Sequence, residues 1–143
     1  MSIFALLGAT VGGVLSLFFW WQSVKTRRAE WLYSLHEKFY EDSCHKKTRL
    51  LLDYRPKEEL ERLYKGLEED CYPDVCEPLV DYLNFFEFIA GLWIMHQLSL
   101  KEIRMLFQYY LELLKTHPPV MNFIKRQGFE SLHSLLDAVG GTA

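Results

Sequence analysis

Residues 3–21 read IFALLGATVGGVLSLFFWW, and this uncharged run constrains the fold more than any other stretch of the chain. At about 1.5 Å per residue, a helix of this length reaches across the hydrocarbon core of a bilayer. A secretory signal places basic residues before a shorter apolar run and small residues at its cleavage point. Here only Met1 and Ser2 precede the run, and bulky Phe18, Phe19, Trp20 and Trp21 end it, so the segment reads as retained. Trp20 and Trp21 suit the headgroup level, where an indole buries its ring and still hydrogen-bonds. Lys25, Arg27 and Arg28 follow on the side that stays cytoplasmic. The expected topology is a single pass through the cell (inner) membrane, with the N-terminus outside and the C-terminal domain in the cytoplasm. The competing reading, a core helix of a soluble protein, is disfavoured by the length of the uncharged run.

Gly8 and Gly12 form a GxxxG pair, with Ala9, Gly13 and Ser16 on neighbouring turns. Small residues so spaced let two transmembrane backbones approach, although Gly and Ala are common in membrane helices generally. Another membrane protein or a second copy of this chain is therefore an expected partner, beside the membrane lipids themselves.

The chain divides into an anchor with its basic juxtamembrane segment, residues 1–28, and one helical bundle domain, residues 29–143. The second part has the size of a single domain, with no Gly/Ser linker, low-complexity tract or internal repeat to split it. The formal charge of −3 comes from 16 basic and 19 acidic residues mixed along the chain, which argues against a dedicated nucleic-acid surface. The cluster at Lys25, Arg27 and Arg28 is explained by orientation and by anionic lipid headgroups.

Helical spacing runs almost throughout, so the fold class is all-α: a transmembrane helix followed by a compact helical bundle. Trp31, Leu32, Leu35 and Phe39 mark a first helix that can continue from the anchor, and Leu50, Leu51 and Leu52 lie on a second stretch, with the join between the two left open. Pro56 suits the first position of the next helix, which carries Leu60, Leu63, Tyr64 and Leu67. Leu100 to Thr116 has an inner stripe of Leu100, Ile103, Leu106, Phe107, Tyr110, Leu113 and Leu114, and Ser99 with Glu102 forms its capping box. His117-Pro118-Pro119 stops it. Two short helices follow, one near residues 120–127 closed by Gly128, the other carrying Phe129, Leu132, Leu135, Leu136 and Val139.

Residues 78–97, PLVDYLNFFEFIAGLWIMHQ, are apolar nearly all round, which places them at the centre of the bundle. Asp81, Asn84 and Glu87 argue against a second span, since a carboxylate at mid-bilayer costs about 2.5–3.5 kcal/mol. Glu87 sits between phenylalanines and needs a partner, for which Arg49 and His36 are the candidates.

An N-terminal membrane segment, Trp31, Leu35 and Phe39 at four-residue steps with Tyr40 directly after, an arginine further on, and Asn-Phe-Phe-Glu-Phe at residues 84–88 resemble a family of short bacterial membrane-anchored helical proteins classed as a domain of unknown function. The resemblance covers residues 31–115 and rests on degenerate aromatic motifs. It transfers no activity. It implies that Glu87 and an upstream arginine such as Arg49 form a structural pair holding the bundle together, neither being catalytic.

Catalytic chemistry finds little support. Glu130-x-x-His133 has the spacing used by di-iron bundles, but no second such pair exists. Cys71 and Cys76, with Cys44-His45 elsewhere, lack a second ligand doublet for zinc. In a reducing cytosol the cysteines are expected as free thiols, whereas a Cys71–Cys76 disulfide would suit the reversed topology. His36, His96 and His117 read as core-edge, helix-end and loop residues. There is no P-loop, GxGxxG, GxSxG or HExxH motif. No catalytic residue, metal or cofactor is expected. The reading is a membrane-anchored interaction module, an accessory or regulatory subunit of a membrane-associated assembly. The alternative is a self-oligomerising membrane effector with a cytosolic sensing bundle.

Overall fold

Asp42 is where the first helix stops and the second starts. Ahead of it, the computed structural model has one uninterrupted helix of 39 residues, α1 (Ile3–Glu41). The structure describes residues 3–54, 57–68 and 73–141, with backbone alone for residues 3–15 and 73–75. The Asp42 carboxylate accepts hydrogen bonds from the Cys44 and His45 backbone N–H groups at 2.7 and 3.2 Å, capping α2 (Ser43–Tyr54). The two stretches left open by the sequence are thus separate helices.

Five more helices complete the chain: α3 (Lys57–Glu68), α4 (Pro73–Ile94), α5 (Leu100–Lys115), α6 (Pro118–Gln127) and α7 (Glu130–Gly140). All regular structure among the described residues is α-helical. Pro56, expected to open α3, lies outside the described residues. The capping box of α5 is present, with Ser99 Oγ and the Glu102 carboxylate exchanging backbone hydrogen bonds. Gly128 closes α6 in the left-handed conformation that glycine tolerates, at φ 80°. The chain separates into two units, Met1–Lys38 and Phe39–Ala143.

Within the second unit α4 is the central element, packed against α7, α2 and α3, while α5 packs on α7 and α6. It starts five residues before the expected Pro78 and carries that proline inside it. Its polar residues do not share one environment. Steps of three fall about 60° short of a full turn each, so the series drifts around the axis. Asp81 and Asn84 are exposed and Glu87 is half-buried.

The expected Glu87–Arg49 pair does not form; each charge serves a helix end instead. Glu87 accepts from the Ser131 and Leu132 N–H groups at 3.2 and 2.7 Å, in the first turn of α7. The N-cap position there is Phe129, which has no side-chain acceptor, so a carboxylate from α4 supplies the missing cap. Arg49 Nη2 donates at 3.1 Å to the Tyr40 carbonyl, in the last turn of α1. The positive pole of one helix and the negative pole of another replace the ion pair.

Other charges follow the same rule. Arg104 Nη2 donates to the Ala138 and Val139 carbonyls, and Lys115 Nζ to that of Leu136, so α7 meets a carboxylate at its start and two cations at its end. Gly140 leaves room for the Lys115 ammonium, which a Cβ there would strike. Arg126 donates to the Leu67 carbonyl at the end of α3. At the end of α4, His96 adopts φ 57° while Gln97 and His96 donate back to Leu92 and Trp93, a Schellman closure with histidine where glycine is usual.

Candidate functional site

In the unit Met1–Lys38, side chains are described from Ser16 onward. Leu17, Phe18, Phe19, Trp20 and Trp21 are 67, 54, 64, 66 and 52 % exposed. Five consecutive residues at about 100° each go fully round a helix, so this collar is apolar on every side. Below it, Lys25 Nζ lies 3.4 Å from the Trp21 ring centroid and Arg28 Cζ lies 5.8 Å from that of Trp31. Each cation sits over the face of an indole, as cation–π attraction favours. Arg27 shares a shallow depression of about 460 Å³ with Phe19, Gln22, Ser23, Thr26 and Glu30.

Among the described residues no helix is long and apolar enough to cross a membrane. In α4 the charges of Glu77, Asp81 and Glu87 interrupt the apolar surface. In α1 the described side chains begin at Ser16 and soon reach Lys25, Arg27 and Arg28, so most of the apolar run falls outside them. The expected packing pair Gly8 and Gly12 lies there too.

The second unit is organised around Phe39, which is fully buried. Its ring meets those of Tyr40, His45, Tyr82, Phe85, Phe86, Phe107 and Tyr110 at centroid distances of 4.9 to 5.8 Å. The Arg49 guanidinium lies over Phe39 at 4.8 Å, Tyr40 at 4.5 Å and Tyr110 at 5.9 Å. Tyr40 donates to the Tyr110 hydroxyl at 3.2 Å. Tyr109 donates to Asp53 from the next position on α5. The carboxylate four residues beyond Arg49 is therefore engaged by a tyrosine, and Arg49 has no carboxylate partner among the described residues.

Burial and then the Tyr40 hydrogen bond push the Tyr110 phenol up to about 12. Burial raises that of Tyr82 well above the usual range, with the neighbouring Tyr110 adding to it and the Arg49 charge opposing it. Four buried side-chain atoms lack a hydrogen-bond partner among the described residues: His45 Nδ1, Arg49 Nη1, Tyr82 Oη and Arg104 Nε. The first three belong to residues packed on Phe39.

Glu130 and His133 line one depression of about 410 Å³ at the α6–α7 corner. Glu130 is exposed, and His133 pairs along α7 with Asp137 at 3.4 Å. Among the described residues no three His, Cys, Asp or Glu side chains are grouped to hold a metal. Cys44 is free, but Cys76 is disulfide-bonded, contrary to the expected thiol; Cys71 lies outside the described residues. An apolar groove of about 400 Å³ lies between α2, α3 and α4, lined by Leu50, Tyr54, Leu63 and Pro78 among others.

His117, expected in a loop, is 1 % exposed. Its Nε2 lies 3.2 Å from the Leu52 carbonyl, and its Nδ1 lies 2.6 Å from the Tyr64 hydroxyl. The carbonyl only accepts, so Nε2 carries a proton, and Nδ1 is paired with the Tyr64 hydroxyl. This links α2 and α3 to the α5–α6 corner. Pro118 and Pro119 follow it at the first positions of α6. Comparison of the chain with protein-family models, curated proteins and solved structures finds no match.

Proposed function

We propose that the chain is a membrane-tethered helical module, in which residues 3–21 span the bilayer once and the bundle serves as an accessory or regulatory subunit of a membrane-associated assembly. The observation carrying this reading is the collar at Leu17, Phe18, Phe19, Trp20 and Trp21, each more than half exposed. A protein groove covers one stripe of a helix, whereas lipid covers all of it. The same helix runs without interruption from Ile3 through the collar, so the apolar sequence has the backbone a span requires. Lys25, Arg27 and Arg28 favour a cytoplasmic bundle, whereas the Cys76 disulfide favours the opposite side; the charges set the proposed orientation, and thiol labelling decides between the two.

Membranes carrying the full chain, washed with alkaline carbonate, test the tether. The wild type stays in the pellet, and Val11→Arg with Leu15→Arg moves it to the supernatant, since each mid-span arginine costs about 2.5–3.5 kcal/mol. Release of the wild type ends the proposal. Orientation is read separately with a membrane-impermeant thiol reagent aimed at the free, half-buried Cys44. Labelling only after permeabilisation supports the cytoplasmic side. Labelling of intact cells, together with a persistent Cys76 disulfide, reverses it.

The alternative, a self-oligomerising effector with a sensing bundle, draws support from the unpartnered polar atoms around Phe39. Such a protein would run as a multimer of itself in mild detergent, while an accessory subunit would co-purify with other polypeptides.

A further inference from the structure

Buried polar groups are nearly always hydrogen-bonded, and a cluster of exceptions calls for an occupant. Arg49, 9 % exposed, uses Nη2 on the Tyr40 carbonyl and leaves Nη1 without an acceptor. Tyr82, 0 % exposed, leaves its hydroxyl unpartnered, and His45, 8 % exposed, leaves Nδ1. The three side chains approach one ring, that of Phe39, from α2 and α4. A guanidinium N–H and a phenol O–H, with an imidazole Nδ1 that donates in one of its two neutral tautomers, make a donor set for an oxyanion.

The site carries one buried positive charge with no carboxylate within ion-pair distance among the described residues; the Asp53 carboxylate, held by Tyr109, acts on Tyr82 and Tyr110 through its charge alone. A carboxylate monoanion balances that charge, whereas a phosphate dianion leaves a surplus in a desolvated place. On the surface side, Tyr40 and Tyr110 stack against Arg49 and share the hydroxyl contact of 3.2 Å. Both tyrosines line an open depression of about 540 Å³ with Tyr109, Met105 and Arg104, and with Gln108 and Glu112. An apolar or aromatic tail has room there.

We propose that Arg49, Tyr82 and His45 form a receptor for a small organic monocarboxylate, entered by parting the Tyr40–Tyr110 hydroxyl contact, with the ligand's tail lying against these tyrosines. The site stands on bundle geometry alone and does not depend on membrane attachment. In an assembly it gives the bundle a metabolite input.

The test uses the full chain in lipid nanodiscs titrated with benzoate, with benzamide as the uncharged isostere and inorganic phosphate as the competing oxyanion. The readouts are the Arg49 guanidinium resonance, assigned by its loss in Arg49→Lys, and the melting temperature. Benzoate shifts the resonance saturably and raises the melting temperature, and benzamide does neither. Tyr82→Phe removes one charge-assisted hydrogen bond and weakens benzoate about tenfold. This variant deletes only an unpartnered hydroxyl, so it melts no lower than the wild type and keeps the test open if Arg49→Lys fails to fold. Equal responses to benzoate and benzamide overturn the proposal, as does undiminished benzoate binding by Tyr82→Phe. Phosphate saturating more tightly than benzoate overturns the monoanion assignment. A Tyr82→Phe protein that melts lower and gives no benzoate-specific shift assigns the cluster to an enclosed water and overturns the receptor.

Discussion

Phe19 and Phe39 lie on the same helix, yet the first is 64 % exposed and the second 0 %. The side chain is identical, so the difference comes from its neighbours. Around Phe19 the collar from Leu17 to Trp21 is apolar on every side, and polar residues begin beyond it at Gln22. Around Phe39 the sequence supplies exposed Lys38, Glu41 and Asp42 and half-buried Glu37, which leave one dry side. An apolar stripe selects a protein core, and rings from Tyr82, Phe86 and Phe107 complete it. An apolar cylinder has no wet side to leave in water, and this contrast underlies the proposed tether.

The strongest test of the contrast is truncation at both positions. Phe39→Ala empties the centre of the aromatic cluster and is expected to lower bundle stability by about 3–5 kcal/mol in chemical denaturation. Phe19→Ala is expected to change it by less than about 0.5 kcal/mol. Comparable losses would mean that the collar is part of the core.

A second, smaller effect separates helix-end electrostatics from direct pairing. Glu87→Ala removes the only side-chain cap seen at the start of α7 and is expected to cost about 1–2 kcal/mol. Combined with Arg49→Met in a double-mutant cycle, the coupling should stay below about 0.5 kcal/mol. A larger coupling would restore the direct pair.

At the boundary between the α1 and α2 helices, the His45 and then the Cys44 backbone hydrogen bonds hold the Asp42 carboxyl below its ordinary value. Its contribution is therefore complete above the ordinary carboxylate pKa of about 4 and is lost as pH falls through the lowered folded value. Asp42→Ala should cost about 1 kcal/mol at neutral pH, and the loss should shrink in melts at acidic pH. The smallest effect is a gain. His96→Gly relieves a left-handed backbone at the end of α4 and should stabilise by about 0.5–1 kcal/mol.

Much of the architecture was legible beforehand because it is local. The stripe of Ile103, Phe107 and Leu114, the Ser99–Glu102 box and the Gly128 stop each depend on residues within a few positions of one another. The site was less legible. The sequence marks Arg49 and Glu87 as polar residues that need partners, but those partners are helix poles on other elements, which no residue type near either position announces. Phe129 at an N-cap position was the available signal that α7 needed an acceptor from elsewhere. For His117, hydrogen bonding to Leu52 and Tyr64 depends on how distant helices meet, and no spacing encodes that.

The order of side chains alone determined an all-helical chain, its amphipathic stripes and the uncharged leading run, since helix periodicity and hydropathy act over a few residues. Tertiary structure decided which charge meets which helix end, which histidine is buried, and that three polar groups gather unpaired around Phe39. These depend on the relative placement of helices, set by packing the whole core at once, and no short window of sequence contains that information.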